Sequence, residues 1–253
     1  MFDSHIHTTF STDSKMNIEA AIKRSEELNL GLIITEHMDI NYPNIDKYKF
    51  DPLQYFNQYS KYISPNLLLG IELGMSLDCI DENKSFAESY NFDYVIGSIH
   101  LVNGIDIYKE EYYEGKTKAE AYKEYLVYMY NCIKTHHSFI NSLGHIDYIS
   151  RYATYEDKEI YYETFSDYID EILRLLVTNN IAIELNTRRL ANKTAADNLI
   201  KIYKRYYELG GRIITAGSDS HTEDAIGNNF NMAKDIIDNC NLNLVYFKEK
   251  KCR

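Results

Sequence analysis

Two histidines near the start of the chain have the spacing of paired metal ligands. His5 and His7 lie two residues apart in a short strand-like stretch, and alternate residues of a strand point to the same face. Two imidazoles on one face form half of a typical metal site, and Asp13 adds a carboxylate on the following loop. An isolated His-x-His pair fits a polar strand end equally well. The interpretation therefore depends on whether the pattern recurs.

Potential metal ligands recur where later apolar runs end. Imidazole or carboxylate groups follow six of seven predicted strands, and with Asp13 the candidate ligands are His5, His7, Asp13, His37, Glu72, His100, His145, Asp219 and His221. At three or four ligands per ion, nine ligands suit two or three divalent cations. His136 and His137 are left out because they end a predicted helix, where they would meet the negative end of its dipole.

Seven buried-type strands alternate with amphipathic helices along the chain. After the first strand, the apolar runs cover 32–35, 67–71, 94–99, 139–144, 181–185 and 212–217. Such alternation predicts a parallel sheet, and about 250 residues without a linker suit one barrel domain over residues 1–253. We therefore predict an α/β fold, a distorted seven-stranded (β/α)7 TIM-like barrel. An open doubly wound sheet is the alternative, since strand order is invisible in one sequence.

Helix start signals support this division of the chain. Asn17 and Asp51 precede amphipathic stretches as N-caps, and Thr117-x-x-Glu120 has the form of a capping box. Thr194-x-x-Asp197 is interpreted as the start of a later helix. In a parallel barrel the carboxyl ends of all strands meet at one rim, so the candidate ligands are expected to converge there.

Arginines take the place of ligands after the sixth strand. Asn186, Arg188 and Arg189 follow it, and Arg151 lies just beyond His145. Guanidinium groups match phosphate oxygens in two-point contacts, so a multi-metal site with arginines on its wall indicates phosphoryl chemistry. The alternative is that these arginines pair with carboxylates elsewhere on the protein.

Composition restricts the partners. The formal net charge is −11 and no Lys/Arg run is present, so nucleic acid is not expected as a partner. No segment approaches the roughly 18 consecutive apolar residues of a membrane helix, and no secretory leader is visible. The four cysteines are scattered and predict free thiols in a cytoplasmic protein. The oligomeric state is left open.

Six short motifs carry a family resemblance. They are His5-x-His7, Glu36-His37, Gly70-Ile71-Glu72, Gly97-Ser98-Ile99-His100, Leu143-Gly144-His145-Ile146-Asp147 and Gly217-Ser218-Asp219-Ser220-His221. They resemble the motifs of the polymerase-and-histidinol-phosphatase (PHP) family of metal-dependent phosphoesterases. The resemblance spans Asp3 to His221 and is strongest to the stand-alone members that act in histidine biosynthesis.

The resemblance implies a trinuclear site in which the candidate ligands divide into three sets. These sets are His5, His7, Glu72 and Asp219; Glu72, His100 and His145; and Asp13, His37 and His221. Glu72 would bridge two ions and, with Asp219 and His221, would serve the reacting centre. Some relatives have histidine where this chain has Asp13. An oxygen ligand there would favour manganese or iron over zinc, so two or three divalent Zn, Mn or Fe ions are expected.

The resemblance also implies the reaction. It is hydrolysis of the phosphate monoester of L-histidinol phosphate, with Arg151, Arg188 and Arg189 as candidate phosphate-binding residues. A small phosphorylated amino alcohol would suit an acidic protein, because it also carries a protonated amine. The alternatives are a 3'-5' exonuclease or other phosphoesterase of the family, a metal-dependent amide hydrolase, which would not explain the arginines, and a non-catalytic metal-binding module, which would be expected to have lost ligands.

Overall fold

Parallel strands in sequential order form the central sheet of the computed structural model, which describes residues 1–44 and 47–253. In chain order the strands are β1 (Phe2–Ile6), β2 (Gly31–Met38), β3 (Leu67–Gly74), β4 (Tyr94–Ser98), β5 (Leu101–Val102), β6 (Ile105–Asp106), β7 (Ser142–Leu143), β8 (Ala182–Asn186), β9 (Ile213–Gly217), β10 (Asn243–Leu244), β11 (Phe247–Lys248) and β12 (Lys251–Cys252). The sheet order is β1-β2-β3-β4-β7-β8-β9-β10, while β5–β6 and β11–β12 form separate hairpins.

The sheet closes on itself between its first strand and β9. The backbone N–H of Asp219 donates to the His5 carbonyl at 2.7 Å, and the N–H of His7 donates to the Ser220 carbonyl at 2.8 Å. Near the other end of β9, Ile213 pairs with β10 instead. The seven predicted strands therefore form a barrel joined at its carboxyl end, with β10 as a short eighth strand. The doubly wound alternative is excluded, because its strand order would reverse.

Helices cover the outside of the barrel. They are α1 (Ile18–Leu28), α2 (Pro52–Tyr59), α3 (Ile80–Ser89), α4 (Lys118–His136), α5 (Ile149–Tyr152), α6 (Tyr162–Thr178), α7 (Lys193–Glu208) and α8 (Phe230–Asn239). They pack on outward-facing strand residues such as Leu32, Leu67 and Val95. Within the described part of the chain, no helix is long and apolar enough to cross a membrane.

The helix caps agree with the sequence in three cases and differ in one. Asn17 and Asp51 accept backbone N–H groups at the starts of α1 and α2, and Thr117 with Glu120 forms the predicted capping box. The prediction at Thr194 was wrong. The cap of α7 is Asn192, two residues earlier, whose side-chain oxygen accepts the N–H of Thr194 at 2.9 Å, a role that asparagine fills well.

Alternation along each strand places the polar residues inside the barrel mouth. On β3 the inward series runs from Leu68 through Gly70 to Glu72, and on β2 it runs from Ile33 to His37. Side chains of a strand alternate between faces, so these residues share the inward face. Each inward series is apolar near the amino end of its strand and polar near the carboxyl end. The fifth predicted strand is shorter than expected, since only Ser142 and Leu143 pair as β7.

Aromatic side chains close the amino end of the barrel. Phe247 is 5% exposed and stacks on Tyr94, with ring centroids 5.4 Å apart, while Tyr246 stacks on Phe2 at 4.2 Å. The hairpin that carries Phe247 is tied to the barrel by the N–H of Lys250, which donates to the Asp93 carbonyl at 2.8 Å. The C-terminal segment thus completes the core at the amino end of the barrel.

Phe247→Ala is expected to lower the free energy of unfolding by about 3–5 kcal/mol, because it leaves a cavity beneath Tyr94. Urea denaturation measures the change. Leu53→Ala is the control, since Leu53 is 62% exposed and its loss should change stability by about 0.5 kcal/mol or less. Equal effects of the two substitutions would show that Phe247 does not complete the core.

Candidate metal centre

The first cluster joins both ends of the chain. His5 Nε2 lies 3.1 Å from His7 Nε2, and these atoms lie 3.3 and 3.4 Å from Glu72 Oε2. Asp219 Oδ1 is 3.8 Å from the first nitrogen and 3.5 Å from the second. A tetrahedral cation with ligand distances of about 2.0–2.2 Å needs ligand atoms about 3.3–3.6 Å apart. The four donor atoms therefore have the spacing of a tetrahedral site.

The second cluster uses the other oxygen of the same carboxylate. Glu72 Oε1 lies 2.8 Å from His145 Nε2 and 3.1 Å from His100 Nε2. It also accepts the Ser98 hydroxyl at 2.7 Å. Since the Glu72 side chain is fully buried, its carboxylate connects the two clusters from inside the barrel.

The third cluster lies at the mouth. Asp13 Oδ2 is 3.2 Å from His221 Nε2 and 3.5 Å from His37 Nε2. The Asp13 side chain is 38% exposed, whereas the rings of His37 and His221 both stack on His7, with centroids 4.1 and 4.3 Å apart. All nine candidate ligands are thus brought together, with the third cluster nearest to solvent.

Several cluster histidines are oriented by hydrogen bonds from Nδ1 to an oxygen. The pairs are His5 with the Glu184 carboxylate (2.6 Å), His7 with the Ser11 hydroxyl (3.1 Å), His100 with the Asp39 carboxylate (2.9 Å) and His221 with the Asp219 carbonyl (3.0 Å). Each of these bonds leaves Nε2 facing the cluster. Such outer partners fix the ring orientation and tautomer of metal-binding histidines.

Sequence reasoning missed these orienting groups. Asp39 lies two residues after His37, so strand alternation aims both side chains at the same space. Glu184 interrupts the apolar strand β8. A carboxylate at an inward position of a buried strand was the available signal in both cases.

A missing side chain at Gly74 makes room for the Asp39 carboxylate. A Cβ atom at Gly74 would lie 2.0 Å from Asp39 Oδ1 and 2.6 Å from its Cγ. The carboxylate can reach His100 only because position 74 is glycine. The backbone of β3 is therefore part of the second cluster's support.

Buried polar atoms in the clusters fit a bound cation. Asp39 Oδ2 and His145 Nδ1 have no hydrogen-bond partner among the described residues, and Glu72 Oε2 is contacted only by imidazole nitrogens there, the nearest being His37 Nδ1 at 2.9 Å. Buried carboxylates are usually paired, hydrogen-bonded or bound to a metal. Among the described residues, four groups of three side chains place their candidate metal-ligand atoms within 4.8 Å of one another. The nitrogen and oxygen donors suit zinc, manganese or iron.

Electrostatics keep the central carboxyls ionised. Burial raises the pKa of Glu72, but the surrounding imidazoles, led by His5 and His100, hold that pKa well below its ordinary value. Burial also raises the pKa of Asp219, but the Arg151 guanidinium and the neighbouring histidines together hold this pKa well below its ordinary value. Both carboxyls are therefore available as charged ligands.

The three predicted arginines differ in their surroundings. Arg151 donates from Nη1 to Asp219 Oδ2 at 2.5 Å, while its Nε and Nη2 have no partner in the described part of the chain. Arg188 is 48% exposed beside the same carboxylate and lines the cavity. Arg189 is instead held by Asp147 at 2.6 Å and Glu159 at 2.5 Å.

The geometry does not support the grouping of Arg189 with the phosphate-binding arginines. Its two terminal nitrogens are both engaged by carboxylates, as in the alternative considered from the sequence. Asp147 and Glu159 were not distinguishable as its partners because each lies at least 30 residues away.

Two adjoining cavities open above the clusters. One, of about 260 Å³, is lined by ligand residues together with Arg151 and Arg188. The other, of about 270 Å³, shares five lining residues with it, Asp13, His37, His100, Tyr148 and Tyr152. The remaining lining of this second cavity is Asp39, Tyr42, Tyr48, Asp106 and Tyr108. The site thus has an arginine-bearing lobe next to an acidic, tyrosine-rich lobe.

This arrangement defines a class, an α/β barrel with a candidate multi-metal site at the carboxyl ends of its strands. The chain belongs to the PHP domain family, whose model matches residues 3–188. It is 53% identical over 250 residues to a protein of Clostridium acetobutylicum named probable histidinol-phosphatase, covering 99% of this chain and 98% of that one. It is 32% identical to the histidinol-phosphatase of Lactococcus lactis, covering 87% and 83% of the two chains.

A solved structure has the same fold. It is a crystal structure of histidinol phosphate phosphatase from Lactococcus lactis complexed with zinc, L-histidinol and phosphate. The TM-score is 0.93 at 30% sequence identity, over 100% of this chain and 98% of that one. The barrel predicted from the sequence is therefore confirmed.

Two histidines lie outside the clusters, as the sequence predicted. His136 Nδ1 lies 2.9 Å from the Cys132 carbonyl and His137 Nδ1 lies 3.0 Å from the Lys134 carbonyl, both at the end of α4. His136 is fully buried and its Nε2 lies 3.1 Å from Asn83 Nδ2. Burial lowers the pKa of His136 to about 4, so it is a neutral core residue.

His136 is expected to make stability depend on pH. Its pKa is lower in the folded state than the usual value of about 6.5. Between pH 6.5 and 4 the unfolded chain therefore binds a proton that the folded chain does not, and the free energy of unfolding should fall by up to about 1.4 kcal/mol per pH unit. Denaturant unfolding of wild type and His136→Asn across this range measures the difference. The exposed His137→Asn should keep the wild-type slope, and an unchanged slope in His136→Asn would contradict the assignment.

Proposed function

We propose that this protein is a metal-dependent phosphatase that hydrolyses L-histidinol phosphate to L-histidinol and phosphate, a step of histidine biosynthesis. The observation that carries the proposal is the convergence of two donor clusters on Glu72, with the third cluster beside them at the mouth and two arginines on the same cavity. A relative of the same fold has been solved with zinc, L-histidinol and phosphate, which supports this substrate. Residues 1–253 are taken as one barrel domain because donors come from near both ends of the chain.

The proposed metal ligands follow the three clusters. The first set is His5, His7, Glu72 and Asp219, the second is Glu72, His100 and His145, and the third is Asp13, His37 and His221. When bound, such ions lower the pKa of water toward neutrality and polarise the phosphoryl group. Zinc is the ion named for the Lactococcus lactis structure, whereas the carboxylate of Asp13 favours a harder ion such as manganese or iron at the third position.

Asp219 links the proposed cation site to the phosphate site. Its Oδ1 faces His7 while its Oδ2 accepts Arg151 Nη1. Asp219 has φ of +53°, a left-handed conformation that aspartate tolerates better than most residues. The backbone thereby aims one carboxylate at two functional groups, which supports a catalytic role for Asp219 alongside the bridging Glu72 and His221 at the mouth.

Arg151 and Arg188 are the proposed phosphate ligands. Nε and Nη2 of Arg151, which have no partner among the described residues, are buried beside the cavity, and buried donors without acceptors are costly. Phosphate oxygens would satisfy them with charge-assisted hydrogen bonds. Arg188 lines the same cavity and is 48% exposed, so both guanidinium groups could contact one bound phosphate.

The acidic lobe suits the organic part of the substrate. Asp106 accepts the Tyr42 hydroxyl at 2.6 Å, and Asp39 lies on the same wall. Carboxylates attract an ammonium group, and tyrosine faces stabilise cations within about 6 Å of the ring. A phosphate monoester that also carries a protonated amine would therefore occupy both lobes.

A nuclease of the same family is the second candidate. It would use the same donor clusters, but the net charge of −11 and the acidic lobe beside the arginine-bearing one disfavour a polyanionic strand.

The four free thiols fit the cytoplasmic setting expected from the sequence.

A panel of phosphate esters tests the proposal. Protein loaded with manganese, zinc or iron should hydrolyse L-histidinol phosphate with a higher kcat/KM than simple alkyl phosphates or short oligonucleotides. His100→Ala should lose an ion and most phosphatase activity together, because it removes one of the three donors in the second cluster. Metal analysis and phosphate release measure both. Full activity after loss of the ion would contradict the proposed metal dependence, and salt-dependent cleavage of oligonucleotides would favour the nuclease.

Arg188→Ala is expected to raise KM for L-histidinol phosphate about tenfold or more, since one charged hydrogen bond contributes on the order of 1.5–3 kcal/mol. Metal content should stay at the wild-type level. Arg189→Ala provides the matched comparison, because Arg189 pairs with Asp147 and Glu159. It should lower the Tm with little effect on KM. The reverse pattern would exchange the two assignments.

A further inference from the structure

Glu184 lies on β8, the strand whose end carries no candidate ligand. Its side chain is 1% exposed, and both carboxylate oxygens contact residues of the clusters. Oε1 is 2.6 Å from His5 Nδ1, and Oε2 accepts the backbone N–H of His145 at 2.7 Å. One carboxylate therefore touches a histidine of the first cluster and a histidine of the second.

The backbone determines which group is the hydrogen-bond donor in the contact between Glu184 and His145. The N–H of His145 can only donate, so Glu184 Oε2 must accept. The Asn186 amide is a second donor to this oxygen at 3.4 Å. A carboxylate behind a metal-binding histidine accepts from the ring, so we assign a hydrogen of His5 to Nδ1, 2.6 Å from Glu184 Oε1. His5 Nε2 is then the atom that would bind the first ion.

Gly217 on β9 provides the space for this contact. A Cβ atom there would lie 2.3 Å from the Cβ of His5 and 2.7 Å from Glu184 Oε1. The close approach of His5 and Glu184 therefore requires glycine on a third strand. The position of the Glu184 carboxylate therefore depends on residues of β1, β8 and β9.

We propose that Glu184 is a positioning residue that fixes the tautomer of His5 and the location of His145, and so couples the first and second metal positions. This inference rests on the proposed function, in which His5 and His145 bind different ions. Glu184 itself touches neither ion nor substrate. Strand β8 contributes to the site through hydrogen bonds to ligands of other strands, which explains why its end can carry arginines instead of ligands.

Glu184→Gln tests this role with almost no change in volume. If the amide oxygen stays with the His145 N–H, the amide NH2 group faces His5 Nδ1. His5 must then accept at Nδ1 and carry its hydrogen on Nε2, which removes one donor atom from the first cluster. If the amide takes the other orientation, its NH2 group faces the backbone N–H of His145, and two donors then meet without an acceptor. Both orientations should weaken metal binding about 10–100-fold.

Metal retention and the histidine tautomer are the two measurements. The metal-loaded full chain is dialysed against graded chelator, and ¹⁵N chemical shifts report which nitrogen of His5 carries hydrogen. Glu184→Gln should release ions at lower chelator concentration and alter the His5 shifts. Tyr203→Phe is the matched control, because the Tyr203 hydroxyl donates to the backbone carbonyl of Glu184 at 2.9 Å and not to its carboxylate. It should lower the Tm while metal retention stays unchanged.

Wild-type metal retention and His5 shifts in Glu184→Gln would overturn the inference, as would equal metal loss in Tyr203→Phe. If Glu184→Gln does not fold, Gly217→Ala is the second variant, since it crowds His5 and Glu184 Oε1 without changing either group. It should also weaken metal retention, and unchanged retention would count against the role. Neither measurement uses turnover. A wild-type protein that binds metal but hydrolyses no L-histidinol phosphate would therefore count against the proposed function alone.

Discussion

A buried carboxylate surrounded by imidazoles is the constraint on which the rest of the structure depends. Glu72 is fully buried, and its Oε2 lies 2.9 Å from His37 Nδ1 and 3.3 Å from His5 Nε2. An ionised carboxyl in such a place is costly unless opposite charge is close to it. The barrel meets this requirement by bringing nitrogen donors from several strands to both of its oxygens. The same requirement explains why polar residues occupy the last inward positions of the strands.

The donors are held by a second layer of hydrogen bonds. Asp39, Glu184 and Ser11 each engage the Nδ1 atom of a cluster histidine. Ser11 is itself fixed, because its hydroxyl donates to Glu36 at 2.5 Å and accepts the N–H of His37 at 3.0 Å. Since each of these three rings has a defined acceptor behind it, the Nε2 atoms of His5, His7 and His100 are aligned before any ion arrives. Preorganisation of this kind reduces the conformational entropy lost when a metal binds.

Much of the fold and of the donor set could be predicted from the sequence because both follow from alternation. A strand of period two that ends in histidine or glutamate places that residue inside the mouth of a parallel barrel, as it does for His37 and Glu72. Features that depend on the choice of a tertiary partner could not be predicted in this way. Arg189 has the same local sequence context as Arg188, yet Asp147 and Glu159 engage it. The start of α7 at Asn192 likewise depended on which of two good capping residues the chain would use.

The seam between β1 and β9, which closes the barrel, has a consequence for folding. The two backbone bonds across it belong to His5, Asp219, His7 and Ser220, so the residues that join the first strand to β9 are proposed ligands or their neighbours. More than 200 positions separate them along the chain, and contacts of such high order form slowly because a long loop must close first. An ion held by His5, His7 and Asp219 would link the ends of β1 and β9 across this seam. The energy of cation binding would then reinforce a seam that two backbone hydrogen bonds close among the described residues, so the proposed metal centre would also stabilise the closed barrel.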